Sequence, residues 1–227
     1  RDFLVPSRMH KGKFYALPQS PQQYKQILMV AGYDRYFQIV KCFRDEDLRA
    51  DRQLEFTQID VEMSFINQDF VFSTFEKLMK ILYKEIWGKE LETPIPRLTF
   101  EEAMTRYGSD KPDLRFDLKM STLNGVFANT EFRVFKDTIE TKGIITGLVA
   151  PGCGDYTRNQ LDVLTDFIKK QGAGGLIWIR VKEDGLESPT MKFFTDEEKI
   201  AMVEELGAKP GDLILILSGK KYKTLGL

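Results

Sequence analysis

Residues 36–65, YFQIVKCFRDEDLRADRQLEFTQIDVEMSF, constrain the fold more than any other stretch of this chain. Two runs of strand-forming residues, 36–43 and 55–65, flank a loop dense in charge. Successive side chains on a strand point to opposite faces. In the second run that rule puts Thr57, Ile59, Val61, Met63 and Phe65 on one face. Phe56, Gln58, Asp60, Glu62 and Ser64 take the other. An apolar back with an amide and two carboxylates in front suits a strand that holds a polar ligand. In the first run Gln38, Val40, Cys42 and Arg44 alternate together, so Arg44 emerges at the strand end beside the loop.

The loop 44–55 carries Arg44, Arg49 and Arg52 among the acids Asp45, Glu46, Asp47, Asp51 and Glu55. Two readings of it stay open on charge alone. An arginine fork binds phosphate or carboxylate oxygens two at a time, which a lysine point charge does not do. Alternatively the charges pair with each other on a solvated hairpin tip, each pair contributing roughly 0–1 kcal/mol. A solvated tip does not explain why the strand beyond it carries Gln58, Asp60 and Glu62 in phase.

A chain of 227 residues with 42% hydrophobic and 30% charged side chains has room for one large domain or two small ones. The net charge of −1 supplies no global basic field, so any RNA contact is local. No apolar run approaches the ~18 residues of a membrane span, and no signal peptide opens the sequence. Two cysteines and the single His10 exclude a Cys/His zinc cluster built within these residues. Cys42, mid-strand, and Cys153, in a Pro-Gly-Cys-Gly turn, read as reduced thiols of a cytoplasmic protein. Gly152 and Gly154 do not make a phosphate loop, because the lysine and the strand-to-helix context are missing.

In chain order, residues 1–13 read as irregular with a turn at 11–13, and 14–17 as a short strand. Ser20 is expected to cap a helix with Pro21 in its first position and Gln23 completing a capping box. That helix stops at Gly32 and carries Gln22 and Lys25 on one face. A helix over 69–87 buries Val71, Phe75, Leu78, Met79, Leu82 and Ile86 and ends at Gly88. Pro94 and Pro96 stiffen a connector, and Thr99 with Glu102 caps a helix ending near Gly108. Residues 110–114 resist helix and strand alike and mark the approach to a domain boundary.

Beyond it, 126–135 and 143–149 are strand candidates, followed by a turn over 150–155. Thr157 with Gln160 caps a helix turning Leu161, Leu164, Phe167 and Ile168 inward and stopping at Gly172. A strand over 175–181, a helix capped by Thr195 and Glu198 and closed by Gly207, and a buried strand over 212–217 complete the pattern. This order predicts a two-layer α+β domain with an antiparallel sheet.

FRDE at 43–46, followed by RQLEFTQIDVE at 52–62, resembles motif 2 of class II aminoacyl-tRNA synthetases, specifically the bacterial aspartyl-tRNA synthetases. The run at 1–26, RDFLVPSR to KFYALPQSPQQYKQ, looks like the aspartate-recognition segment of the same enzymes, and YGSDKPDLR at 107–115 extends the match. One departure is Leu54, where the family is expected to hold proline. The second half is similar to the insertion domain that these synthetases share with tRNA-dependent amidotransferases. The resemblance therefore implies an α+β chain: a partial class II antiparallel-sheet catalytic domain over 1–113 and an inserted domain over 114–227. It also implies an internal segment. The anticodon-binding barrel and the dimer-forming motif 1 are expected before Arg1, and motif 3 after Leu227.

The same resemblance implies a ligase that activates L-aspartate with ATP to aspartyl-adenylate and transfers the aspartyl group to the 3′ end of tRNA. Arg44 then acts in catalysis, touching both the substrate carboxylate and the α-phosphate. Ser20, Gln22, Lys25, Gln58 and Asp60 hold aspartate together with Arg44, and Lys25 meets its side-chain carboxylate. Arg44, Asp45, Glu46, Gln53 and Phe56 bind ATP, with Glu46 on the adenine amino group and Phe56 stacked on the base. Glu62 is a weaker candidate for supporting a metal or the polar network. Arg49 and Arg52 contact the tRNA acceptor end, or else pair within the loop. No metal ligands are assigned here: Mg2+ is expected in the full enzyme, held mostly by residues outside this segment. The full-length enzyme is expected to be a cytoplasmic homodimer without membrane association, and the isolated segment to be inactive. Other readings are a synthetase for asparagine or lysine, a non-catalytic tRNA- or amino-acid-binding module, and, for the second half, an interaction domain.

Overall fold

The computed structural model describes residues 2–116 and 118–227. Arg1, which opens the aspartate-recognition resemblance, lies outside the described residues. The chain divides into two compact units, Arg1–Ile95 and Pro96–Leu227.

In the first unit, β1 (Phe3–Pro6) pairs antiparallel with β2 (Phe14–Leu17). Residues 3–6 thus form a strand where the sequence reads as irregular. Their partner lies across a tight turn, which Lys13 closes by donating its N–H to His10 O at 3.1 Å. Helix α1 (Gln22–Val30) follows. Its N-cap is Pro21, with no side-chain cap hydrogen bond. The expected Ser20 capping box is therefore not formed. The helix starts one residue late, and the Ser20 hydroxyl falls out of reach of the orphan N–H groups it was to satisfy.

Strands β3 (Arg35–Phe43) and β4 (Glu55–Met63) then pair antiparallel without a break, from Arg35↔Met63 to Phe43↔Glu55. Phe65, assigned to the apolar face by alternation, lies past the strand end at φ 55° and is fully exposed. Helix α2 (Gln68–Trp87) is capped by Asn67, which accepts from Phe70 N at 2.9 Å, and stops at the left-handed Gly88. Its stripe is amphipathic as expected, but no residue of the helix is buried. Phe75 and Met79 are exposed and Ile86 is 63% exposed, because among the described residues nothing covers that side. Residues 18–20 run back to the hairpin, where Phe43 donates its N–H to Pro18 O at 3.0 Å.

In the second unit, α3 (Phe100–Tyr107) has the expected Thr99/Glu102 capping box and the left-handed Gly108 stop. After it come β5 (Ser121–Thr122), α4 (Arg133–Glu140), β6 (Ile144–Ala150), α5 (Arg158–Lys170), β7 (Ile177–Lys182), β8 (Gly185–Glu187), α6 (Asp196–Leu206), β9 (Leu213–Gly219) and α7 (Lys221–Leu225). The sheet runs β5-β6-β9-β7-β8, antiparallel throughout. Thr157/Gln160 and Thr195/Glu198 form the expected capping boxes of α5 and α6. Phe167 of α5 is 56% exposed rather than turned inward, whereas Leu161 is fully buried.

The expected strand at 126–135 is absent: turns occupy its first part, and α4 begins at Arg133. Asn124 explains the stop. Its side-chain amide donates to Gly143 O at 3.0 Å and accepts from Ile145 N at 2.8 Å, replacing the next rung of the β5–β6 ladder. Freed from the sheet, Phe127 and Phe135 meet each other and Phe194 with ring centroids 4.7, 5.1 and 5.7 Å apart. These rings join Ile145, Ile179, Ile214, Ile216 and Met202 in the core. Arg180, on the opposite face of β7 from Ile179, donates to Tyr156 O at 2.6 Å just before α5.

The division at Ile95/Pro96 precedes the 113/114 boundary expected from sequence, because α3 belongs to the second unit. Glu101 receives the Lys221 ammonium and the Tyr222 hydroxyl of α7. A Cβ on Gly108 would sit 2.1 Å from Leu225 O, so only glycine allows that approach. The glycine-rich turn likewise has a packing role. Gly152 donates its N–H to Asp212 Oδ1 at 3.0 Å, and a Cβ on Gly154 would come within 2.7 Å of Gly211 O.

Candidate active site

The front face of the β3–β4 hairpin gathers most of the expected side chains. From α1, Lys25 reaches down onto β4, with Nζ 3.0 Å from Asp60 Oδ1 and 3.1 Å from Glu62 Oε2. Burial alone pulls the lysine pKa down, but the hydrogen bonds to Asp60 and Glu62 outweigh it and hold it above the ordinary value. Lys25 is therefore a fixed cation. Asp60 is 10% exposed, and its buried Oδ1 meets Lys25 as an ion pair without accepting a well-angled hydrogen bond. That oxygen keeps acceptor capacity for another donor. Ser64, at the strand end, donates to Met29 Sδ at 3.1 Å and so keeps α1 on this face.

Two residues along from Asp60, Gln58 accepts the Cys42 S–H at 3.2 Å. Two further along, Phe56 lies under Arg44, whose guanidinium carbon is 5.1 Å from the ring centroid. Arg44 itself is placed by its N–H, which donates to Leu54 O at 2.9 Å across the loop mouth. The face thus runs from a cation over an aromatic ring, past an amide, to an ammonium between two carboxylates.

Two open pockets adjoin this face. One is lined by Ser20, Gln22, Gln38 and Val40 among others, the second by Arg44, Asp45 and Glu46 with Phe3 and Leu4. Both include Asp2 and Gln19, which makes them neighbouring compartments of one concave region. Asp2, Gln19, Gln38 and Cys42 are absent from the sequence-derived site. Gln38 was legible there: it shares the polar phase and pairs directly with Asp60 in the register. Asp2 and Gln19 arrive only through the folding-back of β1 and of residues 18–20.

The loop tip behaves differently. Arg49 and Arg52 exchange backbone hydrogen bonds at 3.2 Å each way, and Arg52 Nη1 lies 3.3 Å from Glu46 Oε2. Arg52 realises the intraloop pairing, and Glu46, expected on adenine, faces that arginine. Gln53 is exposed and lines neither pocket. Among the described residues no three His, Cys, Asp or Glu side chains gather as a metal site. Both cysteines are free thiols. No helix among the described residues is long and apolar enough to cross a membrane.

The model of the tRNA synthetases class II (D, K and N) family matches residues 1–208, and the chain belongs to that family. Among curated proteins it is similar to the aspartate–tRNA(Asp/Asn) ligase of Aquifex aeolicus, at 56% identity over 100% of this chain and 38% of the relative. The aspartate–tRNA(Asp/Asn) ligase of Desulfatibacillum aliphaticivorans is 54% identical over 96% of the chain and 37% of its own length. The aspartate–tRNA ligase of Clostridium perfringens is 54% identical over 99% and 38%. The chain therefore spans a little over a third of the length of these relatives.

Proposed function

We propose that this chain is the part of an aspartate–tRNA ligase that binds L-aspartate and the α-phosphate end of ATP. The ligase forms aspartyl-adenylate and then transfers the aspartyl group to the 3′ end of tRNA. The observation that carries this reading is the single strand face on which Lys25 stands at one end and Arg44 over Phe56 at the other. An aminoacyl-adenylate has the matching order: a side-chain carboxylate, an acyl-phosphate junction and a flat base.

The residues act by placement. Attack of the aspartate α-carboxylate on the α-phosphate forms the acyl-phosphate bond, breaks the α–β phosphoanhydride bond to release pyrophosphate, and needs no protein nucleophile. It needs alignment and a cation for the charge that builds at the junction. Arg44 supplies that cation as a bidentate donor. Phe56 offers its ring to the base. Lys25, held charged by Asp60 and Glu62, meets the substrate's side-chain carboxylate, which asparagine lacks. Asp60 Oδ1 takes the substrate ammonium. Ser20 and Gln22, on the rim of the amino-acid pocket, complete that end. Asp45, Glu46 and Gln53 contact ATP once the Glu46–Arg52 pair opens, and Arg49 and Arg52 then turn to the tRNA acceptor end. Mg2+, when bound, would neutralise charge on the ATP phosphates, held mostly by ligands outside this segment. The working enzyme is a cytoplasmic homodimer.

The test is ATP–pyrophosphate exchange by the full-length enzyme with aspartate or asparagine. Wild type is expected to exchange with aspartate only. Lys25→Ala is expected to lose about 30-fold or more, since truncating one partner of a buried charge pair costs roughly 2–5 kcal/mol. Undiminished exchange in Lys25→Ala, or none in wild type with any amino acid, contradicts the assignment.

A further inference from the structure

Cys42 is fully buried, yet it does not belong to the apolar side of the hairpin. It stands in the polar phase of β3, paired in register with Phe56 and diagonal to Gln58. Its S–H donates to Gln58 Oε1 at 3.2 Å. Burial pushes the thiol pKa up, with the Arg44 charge only partly opposing this, so the donor proton stays on sulfur at neutral pH. A glutamine amide has two faces, one accepting and one donating, and its neighbours decide which way each points. With Oε1 occupied by the thiol, the two N–H donors of Gln58 are left for whatever lies in front of the strand.

Position then fixes what those donors meet. Gln58 sits between Phe56, under the Arg44 guanidinium, and Asp60, which carries the Lys25 ammonium and an unsatisfied buried oxygen. On the adenylate-forming reading above, that midpoint is where the aspartate α-carboxylate joins the α-phosphate. Both partners there are anionic oxygens, and N–H donors suit them while a carbonyl oxygen repels them.

We infer that Cys42 is a positioning residue for adenylate formation: its thiol fixes the Gln58 amide with the donors toward the acyl-phosphate junction. Cys42 touches no substrate. Its effect passes through Gln58 alone, and this separates it from a buried residue that merely stabilises the hairpin.

The experiment is a double-mutant cycle in the full-length enzyme, read by aspartate-dependent ATP–pyrophosphate exchange and by thermal unfolding. Cys42→Ala is expected to lower kcat/KM about 3- to 10-fold, the size of one neutral hydrogen bond. Cys42→Ser, which keeps a donor, is expected to stay within about 2-fold of wild type. In a Gln58→Ala background, Cys42→Ala is expected to have no further effect on exchange. Equal losses in both backgrounds, or full activity in Cys42→Ala, overturn the inference while the ligase assignment stands. A wild-type enzyme without aspartate-dependent exchange overturns both. Thermal unfolding separates the cases in which a variant fails to fold, because the Gln58 background shares any such defect.

Discussion

The two units differ in what they hide. Pro96–Leu227 buries Phe127, Phe135, Ile145, Ile179 and Ile214 completely, whereas in Arg1–Ile95 only Pro21 and Cys42 are buried among the described residues. On the hairpin's apolar face Phe37, Ile39 and Ile59 are 71%, 68% and 56% exposed. Period-2 alternation marks that face for burial as clearly as it does on β7. A hydrophobic pattern therefore shows which side asks for cover, and says nothing of whether the same stretch of chain supplies it. The charged chemistry stands on the poorly covered unit, where strand register and ion pairs set the geometry. Among its described residues the well-covered unit carries no comparable constellation.

The sharpest way to break this contrast is to truncate one side chain in each unit. Phe127→Ala is expected to lower the unfolding free energy of residues 96–227 by about 3–5 kcal/mol in urea titrations. Ile59→Thr should change stability by less than about 0.5 kcal/mol. A comparable cost for Ile59→Thr would show that the hairpin's back is covered in solution. A smaller effect compares two apparent capping boxes. Thr195→Ala should cost about 1 kcal/mol, because its hydroxyl accepts the Glu198 N–H at 3.2 Å. Ser20→Ala should leave helix stability unchanged, since Pro21 occupies the cap position. The smallest effect concerns an exposed pair. Hydrogen bonds from Arg115 pull the Asp113 carboxyl down to about 2 from 3.8. Its folded pKa lies below the unfolded one, so its stabilisation is present above about pH 4 and disappears as pH falls through 2. An NMR titration in which Asp113 instead has its midpoint near 3.8 would remove the pair from solution.

Local chemistry made much of this readable in advance. The boxes at Thr99, Thr157 and Thr195 and the left-handed stops at Gly88, Gly108 and Gly207 depend on neighbours a few residues apart. So does the phase that puts Gln58, Asp60 and Glu62 together. What escaped depended on distant chain. The aromatic stretch 126–135 has strand-like composition, but Asn124 ends the ladder before it and Phe194 recruits its rings. The Ser20 box failed on a shift of one residue at a proline. Asp2 and Gln19 enter the site only through tertiary return of the chain, which no spacing rule encodes.

The unbroken β3–β4 register has a further consequence. On an antiparallel strand each second residue advances about 7 Å, so Phe56, Gln58, Asp60 and Glu62 divide about 20 Å into equal intervals. The hairpin works as a ruler, with one functional group at each graduation. Substituting a graduation blunts one contact. Deleting a single residue between Glu55 and Asp60 reverses the phase on one side of the cut, putting Phe56 on the opposite face from Asp60 and Glu62. Length is the quantity this hairpin is least free to change.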